Sequence, residues 1–389
     1  MTPHPLAIAA DDTTEGRVIV IGAGVIGLSI AWRLAQAGRR VVVLERDAAG
    51  SGASGAAAGM LAPLAEVDFV EDALIDLKRE SLRRYPAFVA QLEAASGLSL
   101  DYRTEGTLAV AIDRDDAERL RHHFDHQRRL DLPVQWLTGD QARALEPFLS
   151  PSIQAAVSIP SDHQIDNRRL AQALHLAAER AGAVVIEGAH VDHVQIDGGR
   201  VRSLNARARE APDQPLTLRA EALVVAAGCG SRAIAGLGPL SPPVRPVKGQ
   251  MLSVQMPAEH VLTRVVRAPE CYLVPRSDGR LLIGATSEER GFDTAVTAGG
   301  LFELLRGAYE TLPVVAELDL VQTWAGLRPC SLDNDPILGH TGVEGLLMAT
   351  GHYRNGILLT PVTADAVAEA LLTRTTPPLI APFSPARFL

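Results

Sequence analysis

The chain opens with two short apolar runs separated by a segment of helical periodicity. Residues 17–22 (RVIVIG) are continuously apolar, residues 25–37 repeat apolar positions at helical spacing up to Gly38, and residues 40–45 (RVVVLE) form a second apolar run. Continuous Val, Ile and Leu runs are typical of parallel strands that are buried on both faces. The pattern predicts a β-α-β unit.

The periodicity changes along the rest of the chain. Helical spacing covers residues 76–96, 115–130, 167–181, 301–311 and 357–372. Short apolar or alternating runs predict strands at 108–112, 184–186, 191–196, 201–204, 222–228, 249–254, 264–266, 272–275, 281–283, 321–327 and 345–348. The alternating strands after residue 245 favour an antiparallel sheet with one exposed face.

The first β-α-β unit carries a glycine motif between its first strand and its helix. Gly22 permits a tight turn, Gly24 allows close approach of a pyrophosphate, and Gly27 allows the helix to pack on the strand. The N–H groups at the start of that helix attract phosphate. Glu45 ends the second strand, where a carboxylate accepts hydrogen bonds from ribose hydroxyls and disfavours a 2′-phosphate. The motif predicts a dinucleotide site for FAD or NAD rather than NADP.

A segment of small residues follows at 50–61 (GSGASGAAAGML). Such a segment packs poorly by itself, but at the carboxyl edge of a sheet it lets the backbone lie against a large flat ligand. A flexible linker remains the alternative interpretation. A second small-residue turn, AAGCGS at 226–231, is either part of the same site or a simple strand–helix turn.

Composition narrows the class of protein. The 389 residues are 47% hydrophobic and carry a net charge of −9, which disfavours nucleic acid and anionic lipid as main partners. Three scattered cysteines do not suffice for a disulfide framework or a zinc site, so we expect thiols in the reducing cytoplasm and no metal. No apolar run reaches the roughly 18 residues of a membrane span.

Taken together, these motifs resemble the D-amino acid oxidase superfamily of FAD-dependent oxidoreductases, and within it most closely the glycine oxidases of thiamine biosynthesis. The resemblance runs from about residue 17 to 372. Beyond the glycine motif and Glu45 it rests on AAAGML at 56–61, PVKG at 246–249, CYLVPR at 271–276, GAT at 284–286, WAGLRP at 324–329 and GHYRNGILL at 351–359.

The resemblance implies an α/β fold, in which a Rossmann-type FAD-binding domain carries an inserted, mostly antiparallel α+β substrate domain. We expect residues 17–75, 152–240 and 335–375 in the FAD-binding domain. Residues 76–151 and 241–334 are expected in the substrate-binding domain, and residues 1–16 form a loose tail. A homo-oligomer, a tetramer in the family, is also implied.

The resemblance also implies a set of residues around FAD. It assigns Gly22, Gly24, Val25, Ile26, Gly27, Glu45 and Arg46 to the adenosine and pyrophosphate, Ala53 and Ser54 to the phosphates, Ala58, Gly59 and Met60 to the isoalloxazine, Val191 to the adenine, and His352, Tyr353, Arg354, Asn355, Gly356, Ile357 and Leu358 to the pyrimidine end. This last group is expected at the start of the final helix, where the dipole stabilises negative charge on reduced flavin.

For the substrate, the resemblance implies that Arg328 clamps the amino acid carboxylate, that Tyr272 donates its hydroxyl to it, and that Arg354 adds positive charge at the mouth. By residue type alone, a surface arginine and a core tyrosine are the default interpretations. The implied reaction is hydride transfer from glycine or a related D-amino acid or sarcosine to FAD. Reoxidation by O₂ then yields H₂O₂, ammonia and glyoxylate or another 2-oxo acid.

Two positions depart from the family pattern, and several activities remain open. Ser287 replaces Met and Glu270 replaces His at positions expected near the substrate. One alternative is a D-amino acid dehydrogenase that reduces a quinone. Another is a sarcosine-type N-demethylase with covalent flavin, for which Cys330 is a candidate attachment point. A non-catalytic FAD-binding protein is a third.

Overall fold

The computed structural model describes residues 6, 9, 16–62, 72–258 and 262–389. The loose tail expected at 1–16 therefore lies almost wholly outside the described residues. Within the described part of the chain, no helix is long and apolar enough to cross a membrane.

A six-stranded sheet carries the N-terminal β-α-β unit. Its strands are β1 (Arg17–Ile21), β2 (Arg40–Leu44), β8 (Val184–Ile186), β12 (Ala222–Val225), β18 (Ile337–His340) and β19 (Leu346–Thr350), in the order β18-β19-β12-β1-β2-β8. All neighbours are parallel except β18 and β19. Because β1 lies between β2 and β12, the turn after it opens at the centre of the sheet's carboxyl edge.

Different layers cover the two faces of this sheet. One face packs on helices α1 (Val25–Gln36), α6 (Asn167–Arg180) and α8 (Thr360–Thr373). The other face packs on a three-stranded antiparallel sheet of β9 (Ala189–Asp197), β10 (Arg200–Ala208) and β11 (Ala211–Arg219). Strand β1 is apolar throughout because its side chains face both layers in turn. Val18 and Val20 face the helices, whereas Ile19 and Ile21 face the small sheet.

A second large sheet has eight strands. They are β4 (Thr107–Ala111), β5 (Gln135–Thr138), β6 (Ala155–Ile159), β13 (Arg245–Gln255), β14 (Val265–Arg267), β15 (Tyr272–Pro275), β16 (Arg280–Gly284) and β17 (Asp319–Cys330), in the order β17-β13-β16-β15-β14-β4-β6-β5. Every pair is antiparallel except β14 and β4.

Short and connecting elements complete the described fold. The helices are α2 (Ala53–Ala56), α3 (Asp72–Ser96), α4 (Arg114–Arg129), α5 (Gly139–Leu145) and α7 (Ala298–Thr311). Strands β3 (Met60–Leu61) and β7 (His163–Gln164) form a two-stranded antiparallel pair. This mixed α/β architecture confirms the predicted fold class.

Three differences from the sequence prediction have physical causes. Strand β11 was not predicted, and it contains Pro212 and Pro215, but it lies at a sheet edge, where missing N–H donors are tolerated. The final helix begins at Thr360 rather than at residue 357, with Pro361 in its first turn. Strand β6 joins the eight-stranded sheet although the prediction gave residues 152–240 to the FAD-binding domain. We therefore propose moving that boundary beyond β6.

Candidate functional site

The glycine turn between β1 and α1 is closely packed. Gly22 has φ +105°, and a Cβ on it would lie 2.6 Å from the carbonyl oxygen of Ala226. A Cβ on Gly27 would lie 1.9 Å from the carbonyl oxygen of Gly22. Gly24 is the N-cap of α1 and provides no side-chain cap, so the N–H groups of the first turn that follow Val25 can bind a ligand.

Glu45 braces this turn from the end of β2. Its two carboxylate oxygens accept the backbone N–H of Ala23 at 2.8 Å and that of Asp47 at 2.9 Å. The neighbouring Arg46 side chain is exposed and pairs with Asp47 at 3.0 Å. The hydroxyl of Ser54 accepts the N–H of Val25 at 3.0 Å, which joins the small-residue segment to the start of α1.

Buried polar side chains hold the small-residue segment in place. Arg276 is 2% exposed, and its Nη2 donates to the carbonyl oxygen of Ala58 at 2.7 Å. Asn167, at the start of α6, donates its Nδ2 to the carbonyl oxygen of Ser54 at 2.7 Å. A Cβ on Gly59, which has φ +73°, would lie 1.9 Å from the carbonyl oxygen of Ile165. The segment is therefore a fitted wall rather than a flexible linker.

The loop between β19 and α8 is tied to α3 and α8. The hydroxyl of Tyr85 donates to the carbonyl oxygen of Ile357 at 2.5 Å, and that of Ser81 donates to the carbonyl oxygen of Leu358 at 2.6 Å. The Nε2 of His352 lies 3.1 Å from the hydroxyl of Thr363. Burial lowers the pKa of His352 to about 3, so its ring is neutral and anchors the loop on α8.

Arg328 lies on β17, and its guanidinium lies close to Gly249 on the neighbouring strand β13. Its Nη1 donates to the carbonyl oxygens of Lys248 at 3.2 Å and Thr286 at 3.1 Å. Among the described residues, Nε and Nη2 have no protein acceptor, so the other edge of the guanidinium can take a carboxylate. A Cβ on Gly249 would lie 2.5 Å from Nη1 and Nη2, which shows that Gly249 makes this position possible.

A glycine on a neighbouring strand also leaves room for the side chain of Tyr272. A Cβ on Gly284, in the neighbouring strand β16, would lie 2.7 Å from the Tyr272 hydroxyl. That hydroxyl lies 3.7 Å from the Sδ of Met251. The guanidinium of Arg354 lies 5.1 Å from the centre of the Tyr353 ring. These positions were implied by the resemblance, whereas Gly249 and Gly284 were missed as sources of space.

One cavity of about 630 Å³ joins these parts. The predicted residues that line it are Gly22, Gly24, Val25, Ile26, Glu45, Arg46, Ala53, Ser54, Ala58, Gly59, Met60, Val191, Tyr272, Arg328, His352, Tyr353, Arg354, Asn355, Gly356, Ile357 and Leu358. Gly27 lies behind the wall, where it lets α1 approach β1. Other residues that line the cavity were not predicted from the sequence, among them Met251, Arg267, Phe292 and Thr294.

The two departures from the family pattern lie in different places. Glu270 lines the cavity. Ser287 is exposed and is not part of the cavity wall, so the expectation that it lies near the substrate is not supported. Its neighbour Thr286 bonds Gln250 N–H and Glu288, which fixes this loop and leaves Ser287 facing outward.

The cysteines bear on the hypothesis of a covalent flavin. Cys330 is buried, donates to Oδ1 of Asn334 at 2.9 Å, and is not among the residues lining the cavity. Cys229 does line the cavity, but burial raises the pKa of its thiol to about 12. A thiol with that pKa is a poor nucleophile, so the geometry does not favour attachment through either residue.

The cavity fits a flavin dinucleotide. A glycine turn at a helix start, a fixed carboxylate at the end of β2 and a wall of small residues line one space. Its volume lies within the range of cofactor sites. Arg328 and Tyr272, from the second sheet, line the same space, where a small anionic substrate would lie against the ring system.

Comparison with known proteins agrees with this geometry. Glycine oxidase of Geobacillus kaustophilus is 37% identical over 375 residues, covering 96% of this chain and 97% of that protein. Its solved structure has a TM-score of 0.87 to this chain and covers 95% of this chain and 98% of that one. The structure of iminodiacetate oxidase from Chelativorans sp. BNC1 has a TM-score of 0.83 at 28% identity, with coverage of 95% and 99%.

A longer relative matches over part of its length. The bifunctional protein ThiO/ThiG of Synechocystis sp. is 36% identical over 382 residues, which is 97% of this chain but 54% of that protein. The model of the family described as "FAD dependent oxidoreductase" matches residues 17–370. The resemblance inferred from the motifs is thus confirmed, and the chain belongs to the DAO family of FAD-dependent oxidoreductases.

Proposed function

We propose that this protein is an oxidase of glycine or closely related small amino acids. For glycine, the net reaction consumes glycine, O₂ and water and produces glyoxylate, ammonia and H₂O₂. The observation that carries the proposal is the guanidinium edge of Arg328, which faces the cavity that also contains the dinucleotide turn. The similarity to glycine oxidases over nearly the whole chain supports the same substrate class.

The residues of the chain bind and orient the substrate. Nε and Nη2 of Arg328 form a planar pair of donors for both carboxylate oxygens, and the Tyr272 hydroxyl donates to the same group. Both side chains come from strands of one sheet, so the Cα–H bond is presented in a defined direction. FAD, when bound, accepts two electrons from the substrate and passes them to O₂. The chain needs no acid or base of unusual pKa for this role.

A peroxide-coupled assay tests the proposal. Purified protein with bound FAD is given glycine, sarcosine and a set of D-amino acids in air, and H₂O₂ is measured. We expect peroxide with at least one of them. Arg328→Met should abolish turnover while FAD remains bound, whereas Arg200→Met, which removes a charge on the exposed hairpin, should leave turnover unchanged. A yellow protein that yields no peroxide from any of these amines would contradict the proposal.

The electron acceptor and the products distinguish an oxidase from a dehydrogenase and from an N-demethylase. If glycine reduces the flavin without air, and a soluble quinone but not O₂ reoxidises it, the protein is a dehydrogenase. An N-demethylase would prefer sarcosine and release formaldehyde, which the same reactions measure. Neither alternative is favoured by a contact in the described structure.

We further propose that the protein works in the cytoplasm, supplies thiazole synthesis for thiamine and forms a homo-oligomer. The three thiols are free, and the similarity to ThiO/ThiG supports the metabolic role. Exposed apolar side chains support self-association, namely Phe302, Tyr309, Leu320 and Val321. Light scattering on the purified protein tests the oligomer, and the thiamine requirement of a strain lacking the gene tests the role.

A further inference from the structure

A second cavity adjoins the proposed substrate site. It has a volume of about 370 Å³ and shares Arg267, Tyr353 and Arg354 with the first cavity. Helices α3 and α4 contribute its other charged side chains, Lys78, Asp116 and Arg119. The shared wall brings this second space next to the proposed substrate.

Lys78 distinguishes this cavity from an ordinary surface cleft. Its side chain is 4% exposed, and among the described residues it forms no hydrogen bond or ion pair. Burying a cation without a partner is costly, and proteins normally avoid it. The other deeply buried cations of the described chain are satisfied, because Lys248 pairs with Asp293 at 2.8 Å and Arg276 donates to three oxygens. Arg17 donates to the carbonyl oxygens of Ala9 and Arg219.

The carboxylate in the cavity does not neutralise Lys78. Asp116 is paired with Arg119, and its Oδ2 accepts the backbone N–H of Ile112 and Asp113. Among the described residues the lining therefore has one acid, which is already engaged, so Lys78 adds an uncompensated positive charge to this space. Such a space attracts an anion and excludes a cation.

We propose that Lys78 is the anchor of a second anion subsite, which binds the distal carboxylate of a dicarboxylic amino acid whose first carboxylate lies on Arg328. The proposal rests on the proposed function for the position of the first carboxylate. Arg354 lines both cavities, so it belongs to the wall that the two spaces share. The site would then accept dianionic amino acids as well as glycine-sized ones.

Unreactive acids test the subsite apart from catalysis. Isothermal titration calorimetry on the FAD-loaded protein compares succinate, glutarate and adipate with butyrate, valerate and hexanoate, the monocarboxylates of equal length. For at least one length we expect the diacid to bind about tenfold or more tightly, as for a hydrogen bond to a buried charge. Three lengths are used so that one of them matches the distance between the two sites.

Three variants assign the effect to Lys78. Lys78→Met should weaken the preferred diacid to the level of its monoacid and leave the monoacid unchanged, whereas Lys78→Arg should keep the preference. Arg79→Met is the matched control, since it removes a charge from the next, exposed position of α3. Flavin content and circular dichroism verify that each variant is folded.

Two results would overturn the subsite. One is equal binding of diacids and monoacids at all three lengths, and the other is a diacid preference that survives Lys78→Met. Peroxide release from glycine, measured in parallel, separates this failure from failure of the oxidase proposal. A Lys78-dependent diacid preference in a protein that oxidises no amine would support the anion site and contradict the oxidase.

Discussion

The guanidinium of Arg276 lies 2.7 Å, from Nη2 to oxygen, from the backbone carbonyl of Ala58 in the wall of the cofactor cavity. The same group donates to Oε1 of Gln164 at 3.2 Å and to Oδ1 of Asn167 at 3.3 Å. Burial lowers the pKa of Arg276 to about 10, which still leaves it charged at neutral pH. A buried cation thus fixes the backbone against which the flavin ring would lie.

Arg276→Met should both destabilise the protein and weaken FAD binding. Three buried acceptors lose their donor, so we expect the free energy of unfolding to fall by about 3 kcal/mol. Arg276→Lys keeps the positive charge but not the planar guanidinium. Its stability and FAD affinity should therefore lie between those of the wild type and of Arg276→Met. Denaturant unfolding of the apoprotein and FAD titration measure the two effects. The surface variant Arg202→Met should change neither, and wild-type behaviour of Arg276→Met would refute the assigned role.

Gly249→Ala should impair substrate binding without removing FAD. The new Cβ would lie 2.5 Å from two nitrogens of Arg328, so the guanidinium must move away from its present position. If Arg328 clamps the carboxylate, KM should rise about tenfold or more. Steady-state kinetics and flavin content measure this. Gly299→Ala is the control, because a Cβ there meets no atom within 4 Å, and an unchanged KM in Gly249→Ala would exclude this role of Arg328.

Tyr272→Phe should raise KM with little loss of stability. The variant removes one hydroxyl that faces the cavity and keeps the ring that packs beside Gly284. A hydrogen bond from a hydroxyl to a carboxylate contributes about 1.5–3 kcal/mol, so we expect a rise of about tenfold or more. Tyr309→Phe, on an exposed face of α7, is the matched control. Identical kinetics in the two variants would show that the hydroxyl does not bind substrate.

His352 should make the protein less stable in mild acid. Its pKa is lowered from 6.5 to about 3 in the folded chain, so between these values the unfolded chain binds a proton that the folded chain does not. The stabilising contribution is complete above pH 6.5 and is lost as the pH falls from 6.5 towards 3. From pH 6.5 to 5 the loss is about 2 kcal/mol, at 1.36 kcal/mol for each pH unit.

His352→Gln isolates this effect, because glutamine does not titrate. We expect the difference in unfolding free energy between wild type and variant to shrink as the pH falls from 7 to 5, measured by urea unfolding at each pH. His175→Gln, which replaces a half-buried histidine on α6, is the control for the loss of a histidine outside the cofactor loop. A difference that is constant with pH would mean that folding leaves the pKa of His352 at its ordinary value and would contradict this role.

The sequence alone determined the features that depend on local order. The runs around β1 and β2, the spacing of Gly22, Gly24 and Gly27, and the acid at Glu45 predict the dinucleotide turn, because each feature needs only neighbouring residues. The small-residue stretch that ends at Met60 predicted FAD as the cofactor, and the motifs at 324–329 and 351–359 narrowed the resemblance to amino acid oxidases. These predictions required no knowledge of which strands pair.

The tertiary structure decided what depends on residues that are distant in the chain. Arg276 reaches Ala58 across 218 positions, and Gly249 leaves room for Arg328 on a neighbouring strand. Strand pairing likewise made the proline-containing β11 an edge strand, and packing buried Lys78 beside a second cavity with no partner among the described residues. Burial, close approach and pairing are properties of the packed chain, so no local pattern records them.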